Sequence, residues 1–148
     1  MKIEINNLEQ TKLLAEKIAK IAEKGDVIEL KGDLGAGKTT FARYFINCLP
    51  EKEEDILSPT FNIVHPYTTK NFTVWHFDLY RIENISEIEE IGIYDAFDEG
   101  VSLIEWPHII SSIVPENRLL VNITQNESER TTSIEGAGSW QERISNIL

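Results

Sequence analysis

Cysteine is almost absent from the sequence, since Cys48 is the single one among 148 residues. One thiol cannot form an internal disulfide, so the cysteine-stapled scaffolds of small secreted domains are excluded. Residues 1–6 lack the apolar core of a secretion signal, and no run approaches the ~18 apolar residues of a membrane-spanning helix. These absences predict a protein of the reducing cytoplasm without a membrane span.

Basic residues are scarce as well. Lys and Arg number 14 against 25 Asp and Glu, which gives a formal net charge of −11. Proteins bind a nucleic-acid backbone largely by releasing its counterions with basic side chains, and this chain carries the opposite charge. Direct binding of RNA or DNA over a broad surface is therefore disfavoured.

The composition that remains is typical of a folded domain. Hydrophobic residues make up 41% and charged residues 26% of the chain, which is too apolar for an intrinsically disordered protein. A chain of about 150 residues buries roughly two thirds of its unfolded surface and matches the usual size of one domain. We therefore expect a single domain over residues 1–148.

Hydrophobic periodicity predicts an alternation of helices and strands. Apolar positions three to four residues apart indicate helices, and short apolar runs bounded by turn residues indicate buried strands. The segment from Glu83 to Glu99 contains seven acids and no basic residue. Its acidic surface is either a docking face for a partner or a merely solvated surface. In chain order we predict a helix over 11–24, a strand over 26–31, a helix from Lys38 to Pro50, an antiparallel strand pair over 61–64 and 72–77, a helix over 83–99, and strands over 101–104 and 119–123.

The segment from Gly32 to Thr39 matches the phosphate-loop pattern G-x-x-x-x-G-K-[ST]. A buried strand precedes it and a helix follows it, which is the context this motif needs, because its backbone N–H groups point at phosphate oxygens from a helix N-terminus. The cradle would consist of Gly35, Ala36 and Gly37. Lys38 would reach the β and γ phosphates, the Thr39 hydroxyl would ligate Mg²⁺, and Thr40 would add a phosphate hydrogen bond.

Two acids are candidates for the metal side of this site. Glu105 follows the apolar run 101–104, where the metal-binding acid of a phosphate-loop protein ends a neighbouring strand; the usual residue there is aspartate. Asp78 ends the other run, and alternation places Val74, His76 and Asp78 on one face of that strand. Asp78 is either a second catalytic acid or a turn cap. Either Asp78 or Glu105 could orient the attacking water.

The remaining candidates carry weaker signals. Thr60 lies in a loop at a position where phosphate-loop proteins keep a threonine that closes on the metal, although it could be a simple turn residue. Trp106 either stacks near the nucleotide or fills the core. The three histidines, His65, His76 and His108, show no metal-ligand spacing and are interpreted as structural.

Together these motifs resemble the bacterial TsaE (YjeE) family, the phosphate-loop ATPase of the tRNA threonylcarbamoyladenosine pathway. The glycine loop is generic, whereas four further blocks are distinctive of the family, and they occur in the family's order. The resemblance covers residues 11–107 and thins after Pro107. It depends on Gly32–Thr40, Ser58-Pro59-Thr60-Phe61, His76-Phe77-Asp78-Leu79-Tyr80-Arg81, Glu89-Glu90-Ile91-Gly92-Ile93 and Ile104-Glu105-Trp106-Pro107.

The resemblance implies an α/β phosphate-loop fold of three layers, with a mainly parallel central sheet and an antiparallel strand pair. It implies a protein that binds ATP and Mg²⁺, hydrolyses ATP weakly alone, and acts with TsaD and TsaB in modifying tRNA adenosine 37, the tRNA being handled by those partners. The resemblance implies that the family's site positions correspond to Lys38, Thr39, Thr40, Thr60, Asp78, Glu105 and Trp106. Of these, Thr39 and Glu105 would hold the metal. Thr11 and Arg130 align more weakly with family positions near the nucleotide.

Other classes of protein share a phosphate loop. A small-molecule kinase usually clamps phosphates with several arginines, and this chain has five arginines without a cluster. A guanine-nucleotide switch would carry an Asn-Lys-x-Asp motif, which the sequence lacks. A noncatalytic nucleotide-binding subunit would bind without turnover, even with its partners present.

Overall fold

The chain begins with alternating strands and helices, and pairs of consecutive strands and of consecutive helices follow. The computed structural model describes residues 2–3, 5, 7–33, 35–50, 63–125 and 130–147. The elements are β1 (Lys2–Ile3), α1 (Leu8–Ile21), β2 (Val27–Lys31), α2 (Lys38–Asn47), β3 (Val64–Thr68), β4 (Thr73–Asp78), α3 (Ile85–Glu90), α4 (Ile93–Glu99), β5 (Gly100–Glu105), a 3₁₀ helix (Pro107–Ile110), β6 (Arg118–Gln125), β7 (Arg130–Ala137) and α5 (Trp140–Ile147).

The seven strands formed by the described residues make one sheet in the order β1-β7-β6-β2-β5-β4-β3. The four central strands are parallel, with β2 between β6 and β5, and β4 beyond β5. Antiparallel strands β3 and β7 flank this set, and β1 pairs with β7. The predicted parallel sheet with an antiparallel pair is confirmed, and β1 and β7 add antiparallel pairings that the sequence patterns did not signal.

Apolar side chains cover both faces of the sheet, which confirms the three layers. One buried cluster joins α1, α2 and α5 to alternate residues of the central strands, including Leu30 and Leu103. A second cluster joins α3 and α4 to the opposite face, including Phe77 and Ile104. The strands read as continuous apolar runs because both of their faces are buried. None of the helices in the described part of the chain has the length and apolar character needed to cross a membrane.

Helix α1 begins and ends three residues before its predicted bounds. The side chain of Asn7 caps its N-terminus by accepting a hydrogen bond from Gln10 N at 2.9 Å, so the helix begins at Leu8. At the other end, Asp26 Oδ2 accepts from Glu23 N at 2.7 Å, and this turn ends the helix before Gly25. Local side-chain hydrogen bonds therefore decide both boundaries.

The first strand of the predicted antiparallel pair lies further along the chain than expected, since the predicted range is 61–64 and the observed β3 begins at Val64. Strand β3 runs through Pro66 to Thr68 and pairs antiparallel with β4. Because β3 is the edge strand of the sheet, it tolerates a proline, which has no backbone N–H to donate to a neighbouring strand. The predicted strand residues 61–62 and the predicted loop position of Thr60 lie outside the described residues.

The single helix predicted over 83–99 is two helices. Helix α3 ends before Gly92, whose φ of 85° is left-handed, and α4 starts at Ile93. A left-handed residue cannot continue a right-handed helix, and glycine adopts that conformation without steric cost. All seven acids of this segment are exposed.

Candidate functional site

The glycine loop connects the carboxyl end of β2 to the first turn of α2, as its motif requires. Gly35 and Gly37 have φ values of 78° and 112°, which only glycine adopts freely. Gly32 packs so closely that a Cβ there would lie 2.5 Å from the Ile123 carbonyl oxygen. Ala36 is buried, and its N–H donates to the Asp33 carbonyl. The loop therefore presents the N-terminus of a ten-residue helix, which favours an anion.

The side chain of Lys38 folds back over the loop. Its Nζ donates to the carbonyl oxygens of Gly32, at 2.5 Å, and Asp33, at 3.0 Å. Burial lowers the pKa of Lys38 below its usual value, and the carboxylates of Glu105, Asp78 and Asp33 oppose that shift. The ammonium thus lies between the loop and three carboxylates. A phosphate bound in the loop and its cation would occupy this same region.

Glu105 is the centre of the metal-side geometry. It ends β5, is 3% exposed and stands in register with Leu30 of β2 and Asp78 of β4. The Thr39 hydroxyl donates to its two carboxylate oxygens, at 3.1 and 3.2 Å. His76 Nε2 lies 2.7 Å from Oε2. The structure thus brings together the two residues predicted to hold the metal, and it adds His76, whose interpretation as merely structural missed this contact.

Asp78 lies beside Glu105 and also caps a turn. Its Oδ1 accepts a hydrogen bond from Tyr80 N at 3.1 Å. The predicted alternation of β4 is confirmed, since Val74 lies in one apolar cluster and Phe77 in the other. Burial raises the pKa of Asp78, the Tyr80 N–H lowers it, and the charge of Glu105 raises it again. Asp78 therefore caps a turn and also lies next to Glu105, the predicted metal-binding acid.

Asp78→Asn is expected to stabilise the protein at neutral pH. Because the pKa of Asp78 is raised in the folded state, the folded protein binds this proton more tightly than the unfolded chain. Stability is therefore lost as the pH rises from the unfolded pKa of about 3.8 through the folded pKa. Asparagine removes that loss, and the gain should stay below about 1 kcal/mol because the side chain is only half-buried.

Urea unfolding at pH 7 and at pH 4 measures this effect. The variant should exceed the wild type at pH 7, and the difference should shrink at pH 4, where the wild-type carboxyl is increasingly protonated. Asp98→Asn, on the exposed face of α4, is the matched control and should shift neither value. A loss of stability at pH 7 in Asp78→Asn would contradict the argument.

Trp106 follows Glu105 in a strained conformation. Its φ and ψ are 58° and 59°, and the following Pro107 disfavours a helical conformation at this position further. The strained turn places the indole over Lys38, with Nζ 3.9 Å from the ring centroid. The exposed ring of Tyr80 lies against the indole at 4.9 Å between centroids. Trp106 therefore faces the phosphate-loop lysine, although part of it also packs against the second apolar cluster.

A cavity of about 360 Å³ opens beside the loop at the carboxyl edge of the sheet. Ligands of open α/β sheets bind at the carboxyl ends of the parallel strands. The loop can therefore be reached from this edge. The cavity walls include Lys31, Asp33, Trp106, His108, Asn122 and Thr124.

Among the described residues, no side-chain hydrogen bond links the other predicted site residues to Lys38, Thr39 or Glu105. Thr40 is half-buried in the first turn of α2. Thr11 is buried in α1, where its hydroxyl donates to the Asn7 carbonyl at 3.1 Å. Arg130 begins β7 opposite Gln125, at the sheet edge from which the loop emerges, and only its backbone is described. Thr60 lies outside the described residues.

The donor set of this site fits Mg²⁺. A carboxylate and a hydroxyl converge at Glu105 and Thr39, and hard oxygen donors are what this cation prefers. Within the described ranges, no three His, Cys, Asp or Glu side chains form a group that could hold a metal ion. Mg²⁺ commonly keeps several waters and binds through one or two protein groups together with substrate phosphates.

Comparisons with known proteins agree with the motifs. The family described as "Threonylcarbamoyl adenosine biosynthesis protein TsaE" matches residues 5–133. A Rickettsia felis protein named tRNA threonylcarbamoyladenosine biosynthesis protein TsaE is 41% identical over 131 residues, which cover 88% of this chain and 77% of that protein. The Bacillus subtilis protein of the same name is 38% identical over 140 residues, covering 93% of this chain and 87% of that protein.

The fold also has a solved counterpart. The crystal structure of Bacillus subtilis YdiB matches with a TM-score of 0.79 and 32% identity, covering 99% of this chain and 93% of that one. The resemblance seen in the sequence motifs is thereby confirmed. The chain belongs to the TsaE family of threonylcarbamoyl adenosine biosynthesis proteins.

Proposed function

We propose that the protein is a Mg²⁺-dependent ATPase that acts in the threonylcarbamoyladenosine modification of tRNA adenosine 37. The observation that carries the proposal is the contact between Thr39 and Glu105. It joins the end of the phosphate loop to the end of the neighbouring parallel strand, which is where phosphate-loop enzymes hold the metal between two protein oxygens. The assignment to this pathway is based on the names of the relatives, which are tRNA threonylcarbamoyladenosine biosynthesis proteins.

In this proposal, different residues of the site bind the phosphates, hold the cation and orient the attacking water. The loop N–H groups and Lys38 would bind the β and γ phosphates, and Lys38 would leave its present contacts with the Gly32 and Asp33 carbonyls to do so. Thr39 and Glu105 would hold Mg²⁺, which when bound neutralises charge on the phosphate oxygens. Asp78 or Glu105 would orient the water, since both carboxylates end adjacent strands in register.

We propose TsaD and TsaB homologues as partners, with the tRNA bound through them. The net charge of −11 supports this division, because an acidic protein gains little from contact with a phosphate backbone. A phosphate-loop protein that is slow alone commonly waits for a partner to order a switch segment. The segment around Thr60 is the candidate for that coupling.

Multiple-turnover threonylcarbamoylation of tRNA in a reconstituted pathway tests the proposal. The reaction would be run with the wild-type protein, without it, and with Glu105→Gln, which keeps oxygen and shape but removes the charge that binds the cation. Omission and Glu105→Gln should both stop modification after the first round. Glu29→Gln is the matched control, because Glu29 is a buried strand glutamate of β2 with its side chain on the other face of the sheet from the site.

The outcomes separate the candidate functions. Modification that proceeds equally without the protein would reject the proposed role. Full support by Glu105→Gln would indicate a noncatalytic nucleotide-binding subunit. Product analysis of the ATP reaction distinguishes hydrolysis, which releases phosphate, from a kinase, which transfers it to an acceptor.

A further inference from the structure

The imidazole of His76 is fully buried and makes its contact with the metal-side acid. It lies in β4 at 0% exposure, with Nε2 2.7 Å from Glu105 Oε2. A carboxylate oxygen accepts hydrogen bonds, so Nε2 carries the hydrogen and donates it. This bond is shorter than the 3.1 and 3.2 Å contacts of Thr39 with the same carboxylate. His76 is therefore the closest partner of Glu105 in the described part of the chain.

A core-filling role does not account for a histidine at this position. Its Nδ1 is buried and has no hydrogen-bond partner among the described residues. A buried nitrogen without a partner costs free energy, which an apolar side chain of similar size would avoid. The hydrogen bond to Glu105 is the one interaction that an apolar side chain at this position could not make.

Glu105 needs such a partner. The carboxylate is 3% exposed, and among the described residues its one ion-pair contact is with His76. Thr39, its other hydrogen-bond partner, is also the residue that would bind the cation. Of its two side-chain partners among the described residues, His76 is the one that is not itself a candidate cation ligand, and its strand β4 pairs directly with β5.

We propose that His76 is a positioning residue that fixes Glu105 for Mg²⁺. By donating to Oε2, it sets the orientation of the carboxylate and leaves Oε1 and the Thr39 hydroxyl to face the cation. This inference rests on the proposed function, because it assumes that Glu105 and Thr39 hold Mg²⁺ with the nucleotide. Partners that orient a metal ligand in this way typically change metal affinity by about 10–100-fold when they are removed.

The test compares His76→Leu with His76→Gln. Leucine fills the site but cannot donate, whereas the amide nitrogen of glutamine lies about as far from the backbone as Nε2 and can donate to Oε2. Calorimetric titration with ADP, in excess Mg²⁺ and again in EDTA, gives the factor by which Mg²⁺ improves nucleotide binding without any turnover. His65→Gln, at the paired position of β3, controls for disturbance of the strand pair.

We expect His76→Leu to lose about 10-fold or more of the Mg²⁺-dependent gain while its affinity in EDTA stays unchanged. His76→Gln should recover most of that gain, and His65→Gln should match the wild type. Three results would overturn the proposal: an unchanged gain in His76→Leu, an equal loss with and without Mg²⁺, or no recovery by glutamine in a variant whose circular dichroism is native. Absence of any Mg²⁺ gain in the wild type would reject the proposed function as well.

Discussion

Lys38→Ala is expected to lower ATP turnover by about 10²–10³-fold and to weaken ATP binding. Lys38 contacts the loop directly, since its Nζ donates to the Gly32 and Asp33 carbonyls. Positioned positive charge at the developing phosphate charge contributes rate effects of about that size. Phosphate release in the presence of the partners and calorimetric ATP titration measure the two losses.

The same variant should fold normally. Its side chain is buried at the rim of the loop, outside both apolar clusters, and alanine is a good helix former at the first position of α2. Lys17→Ala, on the exposed face of α1, is the matched control and should leave turnover within about twofold, since no charge near the loop changes. Turnover in Lys38→Ala equal to that control would contradict the assignment of the phosphate site.

The main parts of the site could be predicted because each has a local signal. The spacing of Gly37, Lys38 and Thr39 is fixed by the loop itself. Glu105 is the first polar residue after an apolar strand, and parallel strands end at a common edge of the sheet. The contact of His76 with Glu105 has no such signal, because it joins residues 29 positions apart and depends on the register of β4 against β5.

The C-terminal elements could not be predicted for a different reason. Strand β7 buries Thr132 and Ile134 against one face while its other residues are more exposed, so it lacks an apolar run. Helix α5 has only eight residues, with Trp140 and Ile144 buried. Their places in the fold depend on contacts with distant segments, and one of these contacts is an ion pair between α5 and the residue before β2.

That ion pair joins Arg143 to Asp26. The guanidinium donates to both carboxylate oxygens, from Nη1 at 2.7 Å and from Nη2 at 2.6 Å. Nη1 also donates to the Ile21 carbonyl, Nη2 donates to Ser139 Oγ, and the guanidinium stacks on the Trp140 ring. Asp26 is 3% exposed and immediately precedes the strand that leads to the phosphate loop. One side chain thus ties α5 to the end of α1 and the start of β2.

Arg143→Met is therefore expected to destabilise the protein by about 3–5 kcal/mol. Methionine keeps much of the apolar stem, but it leaves the buried Asp26 carboxylate without a cation, and loss of one partner of a buried pair has effects of this size. In thermal unfolding the loss corresponds to a decrease in Tm of about 10–16 °C. Urea unfolding at pH 7 gives the free energy directly, and nucleotide affinity measured well below the Tm should be retained.

Arg118→Met provides the matched comparison. Arg118 Nε lies 3.6 Å from Glu29 Oε1, and the Arg118 side chain is 37% exposed whereas that of Glu29 is 11% exposed. Water reaches this pair from the arginine side and the contact is long, so its loss should cost about 1 kcal/mol, less than the loss of the Arg143 pair. Because both carboxylates are largely buried, the contrast isolates the burial of the arginine and its bidentate geometry from the simple removal of a positive charge. A loss of only about 1 kcal/mol in Arg143→Met, equal to that in Arg118→Met, would show that Asp26 does not depend on Arg143 and that α5 is held to the sheet mainly by the apolar contacts of Trp140 and Ile144.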